Sequence, residues 1–233
     1  MISIACLIYR SIEYLRFVKR GVERNTPMLR SGEAEFYFVC NNATEEVKNY
    51  LKENDIPHYV FETEPQPPYP HNIGYIYRAW NFAVKVAKGD VVVLLNSDMY
   101  PAKGWLEALV GWLDERRVIT SRLVESGRLP STLPHVIVRD FGRSPKEFRE
   151  SEFEEYAAKV KLPVLKSGGA YMPLAIHRSV FMLAGGYPHG NIGGIPGDKI
   201  FFERLSSLGV EHYTAFDSIC YHIQEGESSE VKK

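Results

Sequence analysis

A chain of 233 residues can bury a large core as one domain, and 45% hydrophobic with 24% charged residues is a folded globular composition rather than a disordered one. The formal net charge of -1, with no long basic run, argues against nucleic acid as the main partner, though a local patch can still neutralise a phosphate. Cys6, Cys40 and Cys220 are widely spaced, which fits buried thiols in a reducing compartment better than a disulfide frame or a zinc site. The sequence shows no charged leader and no apolar run near the roughly 20 residues of a membrane span. The expectation is a cytoplasmic protein, with peripheral membrane contact left open.

Ile2 to Tyr9 reads as a buried strand, followed by Ser11 as a helix N-cap and by Ile12, Leu15, Val18 and Val22 at helical spacing. Glu35 to Cys40 is the next strand. It ends in Asn41-Asn42-Ala43-Thr44, before a helix with Glu45 and Glu46 in its first turn and Val47, Tyr50 and Leu51 on one face. A short strand, His58 to Phe61, leaves through Glu64 to Pro70, where four prolines in seven residues require an extended loop. Asn72-Ile73-Gly74 then opens a helix with Ile76, Trp80, Ala83, Val84 and Ala87 on its apolar face. Past Gly89-Asp90, the run Val91 to Leu95 is too short for a buried helix and reads as a strand covered on both faces. It stops abruptly in Asn96, Ser97 and Asp98.

The second half is less regular. Trp105 to Glu115 reads as a helix and Val118 to Ser121 as a strand, while Val124 to Arg143 shows no period. Ser144-Pro145-Lys146-Glu147 has the form of a capping box, predicting a helix from there to about Val160. Gly168-Gly169 marks either a close backbone approach to a ligand or a β-bulge. Ser179 to Ala184 is a short helix stopped by Gly185-Gly186, and a glycine-rich loop from Tyr187 to Gly197 leads into Asp198 and a helix that Gly209 ends. The β-α alternation of the first half predicts an α/β fold with a mainly parallel sheet.

In open α/β sheets, ligands sit beyond the carboxyl ends of the strands, so Asp98, just past a buried strand, is well placed to hold a metal or a phosphorylated ligand. Ser97, Asp98 and Pro101 are equally ordinary turn formers. Asp198 reads either as a helix N-cap or as a general base. Trp80, Trp105 and Tyr171 are candidate ligand-stacking aromatics, core packing being the stronger reading for Trp80.

Taken in order, ISIACLIYRSIEYLRFV, VCNNATEEV, NIGYIYRAWNFAVKVAKGDVVVLLNSDMYP, GGYPHGNIGGIPGDKIFFERLSSLG and the late histidine of YHIQEGES resemble the family 2 glycosyltransferases. The resemblance implies a single GT-A type domain over residues 1–233, with a donor or nucleotide half at 1–101 and a less regular acceptor half at 102–233. It implies metal-dependent, inverting transfer of a sugar from a nucleotide-diphosphate sugar to an acceptor hydroxyl on a glycan, a lipid-linked molecule or a protein, with Mn or Mg as cofactor. The family's DXD motif falls on Asn96, Ser97 and Asp98, keeping one carboxylate, Asp98, as metal ligand, with His222 as a second. Tyr9, Asn41, Asn72, Gly74, Asn96 and Ser97 fall on the donor side, and Asp198 takes the place of the catalytic base. Cys40 stands where the family has a base-reading aspartate, a role that the neighbouring amide of Asn41 can fill. Two other readings remain: a sugar nucleotidyltransferase, against which the glycine-free Tyr9-Arg10-Ser11-Ile12 stands, and a catalytically silent nucleotide- or glycan-binding module, favoured by Cys40 and Asn96.

Overall fold

The computed structural model describes residues 1–64 and 73–227. Strand β1 (Ile2–Ile8) pairs in parallel with β2 (Ala34–Asn41) on one side and β4 (Val91–Asn96) on the other, and β3 (His58–Phe61) extends the sheet beyond β2. β1, β2 and β4 are the apolar runs anticipated from the sequence, and they are mainly apolar because both faces are covered, whereas β3 at the edge is only part-buried. Ile4, Cys6, Ile8, Val93 and Leu95 pack on one face under α1 (Ile12–Asn25), α3 (Glu45–Glu53) and α5 (Trp105–Gly111). Ala5, Val92 and Leu94 pack on the other, under α4 (Ile73–Val86), α7 (Arg178–Leu183) and α8 (Gly197–Ser207). The Ser11 hydroxyl accepts the Tyr14 N–H at the start of α1, and the Thr44 hydroxyl accepts the Val47 N–H at the start of α3, satisfying helix donors that have no partner within the helix.

The sheet is mixed rather than uniformly parallel. Strand β9 (Leu174–His177) runs antiparallel between β4 and β6 (Arg117–Glu125), and two reversals leave β6 pointing the same way as β4. The long β10 (Glu211–His222) continues parallel to β6, with a register shift between Ala215 and Ile219. Its end pairs antiparallel with β5 (Met99–Pro101), the short strand that follows Asp98. Short β7 (Ile137–Val138) and β8 (Leu165–Ser167) pair with β6 and β10. A third apolar cluster joins Tyr14 and Phe17 of α1, Tyr100, Tyr221 and Phe153 of α6 (Glu150–Val160).

Several expectations of the second half are corrected. The helix after Trp105 ends at Gly111 rather than Glu115, with the chain turning through Leu113 N–H to Val110 O. The capping box forms only one turn, Glu147 N–H to Ser144 O, and the helix begins at Glu150. There the Arg149 N–H is tied to Phe141 O at 2.7 Å, and Phe148 packs into the aromatic cluster, so the chain must break before continuing. The aperiodic stretch from Val124 hides the end of β6 and all of β7, while α2 (Met28–Ser31) and β10 carry no clear sequence period. Gly169 approaches Thr214 of the neighbouring strand rather than open space. Trp80 and Trp105 are core residues; the Trp105 indole donates to the Thr26 hydroxyl at 3.0 Å. Neither tryptophan is an open sugar platform, while half-buried Tyr171 packs against Phe202 and His212.

Candidate active site at the carboxyl edge of the sheet

Because β1, β2, β4, β6 and β10 all run the same way, their carboxyl ends bring Tyr9, Asn41, Asn96 to Asp98, Glu125 and His222 to one edge. The turn Ser97–Asp98 links β4 to β5, and β5 is fixed from two sides. His222 lies opposite Met99 in the β10 pairing, and the Ile223 N–H donates to Asp98 O at 2.9 Å. On the other side Asn25 of α1 donates to Pro101 O at 2.9 Å, and Gly21 leaves room for the Tyr100 ring, which lies 2.9 Å from where a Cβ would stand.

The result is a line of side chains. Asp98 Oδ2 lies 3.5 Å from His222 Nε2, and their side chains are 16% and 19% exposed, so the pair is sheltered yet reachable from outside. The other imidazole nitrogen, Nδ1, lies 3.3 Å from Oε1 of buried Glu125. Gln224 Nε2 donates to Glu125 Oε2 and to Leu129 O, both at 3.0 Å. Burial pushes the His222 ring towards its neutral form, but Asp98 and Glu125 outweigh it and raise its pKa to about 9. Burial likewise pushes Glu125 up, and the hydrogen bonds to His222 and Ser131 together with the His222 charge outweigh it, holding the carboxyl below its usual range.

The chain after β10 folds back over this line. Gly226 runs so close to Asp98 that a Cβ there would lie 2.5 Å from Oδ2. Glu227 accepts from the Ser97 hydroxyl at 2.9 Å and from the Arg10 N–H at 2.8 Å, and its burial, together with the Asp98 charge, raises its pKa above the usual carboxylate value. Glu227 was not anticipated from the sequence, where a glutamate near a chain end gives no signal.

Asp98 Oδ1 is buried without a hydrogen-bond partner. An orphaned carboxylate oxygen is costly unless a cation or an ordered water meets it. Two donor atoms bound to one cation at about 2.1 Å each stand roughly 3 to 3.5 Å apart, which is the spacing of Asp98 Oδ2 and His222 Nε2. Carboxylate and imidazole together suit a transition metal such as Mn. The residues therefore fit a divalent cation, although among the described residues no group of three or more His, Cys, Asp or Glu forms a complete cage, and water or ligand oxygen would fill the other positions.

Asp198 stands in the first turn of α8, where the Asn191 side chain, not its own, accepts the Gly197 N–H at 3.1 Å. That removes the N-cap reading. The Asp198 N–H donates to the Tyr77 hydroxyl at 3.2 Å, which ties the start of α8 to the first turns of α4. Burial raises the Asp198 pKa, although the Lys199 N–H at 2.8 Å favours the ionised form. Among the described residues no hydrogen bond or ion pair links Asp198 to Asp98 or His222.

Of the remaining sequence-derived positions, Asn41 is buried at the end of β2, its amide oxygen 3.3 Å from Asn42 Nδ2. Cys40 points the opposite way into the core, and burial raises its pKa to about 11. Tyr9 lies under the Arg10 guanidinium at 4.3 Å. Gly74 lets α4 approach the His189 carbonyl, 2.6 Å from where a Cβ would be, so packing already accounts for that glycine. Asn72 lies outside the described residues.

A mixed α/β sheet with an acidic turn after β4 and a histidine closing the edge from β10 is the GT-A glycosyltransferase fold. Residues 69–168 match the model of the family described as glycosyl transferase family 2. The structure resembles that of GalNAc-T7 with UDP, GalNAc and Mn2+ (TM-score 0.66, 17% identity, 97% of this chain and 44% of the other). It also resembles S. aureus TarS 1-349 (0.63, 14%, 96% and 60%) and the same protein in complex with UDP-GlcNAc (0.58, 16%, 94% and 57%). The chain thus spans less than two thirds of each of these structures. No curated protein matches it. No described helix is long and apolar enough to cross a membrane.

Proposed function

We propose that the chain is a metal-dependent, inverting glycosyltransferase that moves a sugar from a nucleotide-diphosphate sugar to an acceptor hydroxyl. The observation that carries this reading is the Asp98–His222 pair at 3.5 Å, with Asp98 Oδ1 buried and unpartnered, at the carboxyl edge of a GT-A sheet. That two neighbours were solved with UDP or UDP-GlcNAc, one of them with Mn2+, supports the same chemistry. Asp98 and His222 would hold a divalent cation, Mn or Mg, which offsets the charge of a departing nucleoside diphosphate.

The protein's own groups divide the remaining work. Asn41 and Asn96 present amides to the base and ribose, and Tyr9 and Ser97 line the donor side of the same edge. Asp198 takes the proton of the attacking acceptor hydroxyl, and its burial-raised pKa makes it a stronger base than an exposed aspartate. Residues 1–101 serve the donor and 102–233 mainly the acceptor, with His222 returning to the donor side through β10. The acceptor's class, whether glycan, lipid-linked or protein, is set by loops outside this geometry.

Asp98→Asn tests the reading directly. It keeps shape but removes the charge that offsets the cation, so Mn2+-dependent UDP binding and turnover should fall together by roughly tenfold or more. Parent-like UDP and Mn2+ binding by this variant would refute the assignment.

A further inference from the structure

Glu125 belongs to no motif singled out in the sequence, yet it is the most enclosed carboxylate at the site, 2% exposed at the carboxyl end of β6. An ionisable side chain is rarely so buried without a defined task or partner. Both of its oxygens are committed: Oε1 faces His222 Nδ1 at 3.3 Å, and Oε2 accepts from Gln224 Nε2 at 3.0 Å. Gln224 is itself fixed in orientation, because its Oε1 accepts the Leu129 N–H at 3.1 Å and its Nε2 also donates to Leu129 O. The amide cannot flip without losing these bonds.

We infer that Glu125 is a positioning residue for the metal site: its carboxylate holds a proton of His222 on Nδ1, so that Nε2, beside Asp98, is the nitrogen that yields its proton to a metal and presents its lone pair. This rests on the reading of Asp98 and His222 as metal ligands. A neutral imidazole carries one N–H, and the hydrogen bond made by one nitrogen decides whether the other can ligate. A carboxylate has acceptors only, so it can satisfy both the His222 Nδ1–H and the Gln224 N–H. Glutamine at position 125 cannot, because Gln224 already presents an N–H to it. Turning the new amide oxygen towards Gln224 places an NH2 against His222 Nδ1, which favours the tautomer with its proton on Nε2. Turning it the other way sets two NH2 groups against each other.

The experiment titrates MnCl2 into the purified chain and its Glu125→Gln and His222→Ala variants, reading free Mn2+ by electron paramagnetic resonance, with melting temperatures measured alongside. Loss of an outer partner of a metal-bound histidine typically weakens metal affinity about 10- to 100-fold, and that is the expected effect of Glu125→Gln at a near-parent melting temperature. His222→Ala should weaken binding at least as much. If His222→Ala loses affinity while folded Glu125→Gln keeps it, Glu125 has no positioning role. If both bind as the parent does, His222 is no ligand, and the metal reading falls with the inference. Should Glu125→Gln fail to fold, Gln224→Met decides: a several-fold loss of Mn2+ affinity supports the inference, and unchanged affinity overturns it.

Discussion

Asp198 shows how a residue's role is narrowed by what its neighbours already do. A carboxylate in the first turn of a helix usually caps backbone N–H groups and interacts with the helix dipole. Here Asn191 has taken the Gly197 N–H, Tyr77 takes the N–H of Asp198 itself, and the carboxylate accepts the Lys199 N–H at 2.8 Å. Asp198→Asn should therefore leave the melting temperature nearly unchanged and UDP affinity intact, while slowing the chemical step by about a hundredfold or more. Single-turnover kinetics beside UDP titration separates the two effects. A variant with normal turnover would return Asp198 to a structural role, and one that fails to bind UDP would contradict the division into donor and acceptor halves.

At the scale of elements, the acidic turn is only as well placed as β5, and β5 is three residues long. Too short to hold itself, it borrows its position from β10 and α1. Asn25 is the buried link, donating to Pro101 O at 2.9 Å and to Glu154 Oε1 at 2.6 Å. Asn25→Ala leaves a buried carbonyl and a carboxylate short of a donor, a loss of about 1 to 3 kcal/mol. Urea unfolding should show that loss, and because Asp98 sits at the other end of β5, Mn2+ affinity should weaken too. A stability loss with Mn2+ binding untouched would mean that β10 alone fixes the turn. The same dependence explains what could be read from the sequence. β1, β2 and β4 are apolar runs with their own turn signals, so Asp98 at the tip of β4 was legible, and so was His222 through its resemblance. Glu125 and Glu227 were not, because their roles come from β6 pairing with β10 and from a tail folding back, contacts between positions about a hundred or more residues apart that no local period records. The capping box at Ser144 failed for the opposite reason: a correct local signal gave way to the pull of the Phe148 and Phe153 cluster.

At the scale of the whole molecule, His212 in β10 makes stability sensitive to acid. Its Nε2 lies 3.0 Å from the Thr120 hydroxyl, and its ring packs against Phe202 and Tyr171 beneath α8. Burial lowers its pKa, and nearby His135 adds to the effect against a backbone bond at Ala170, bringing it to about 4. An unfolded histidine titrates near 6.5, so below that value the unfolded chain binds a proton that the folded one refuses. Stability associated with neutral His212 is thus fully present above about pH 6.5 and falls as the pH drops towards 4, by up to about 3 kcal/mol in total. Glu35 acts lower on the scale. Partial burial pushes its carboxyl up, but the Ser3 hydroxyl and Lys88 outweigh this and lower its pKa, so its contribution is lost only at more acid pH, below the ordinary glutamate value. The two are separable by substitution. His212→Gln keeps an acceptor for Thr120 and cannot titrate, so urea midpoints between pH 7 and 4.5 should lose most of their downward slope. If the slope persists in His212→Gln, the acid sensitivity lies elsewhere, and the buried ring is no more than a filler between β10 and α8.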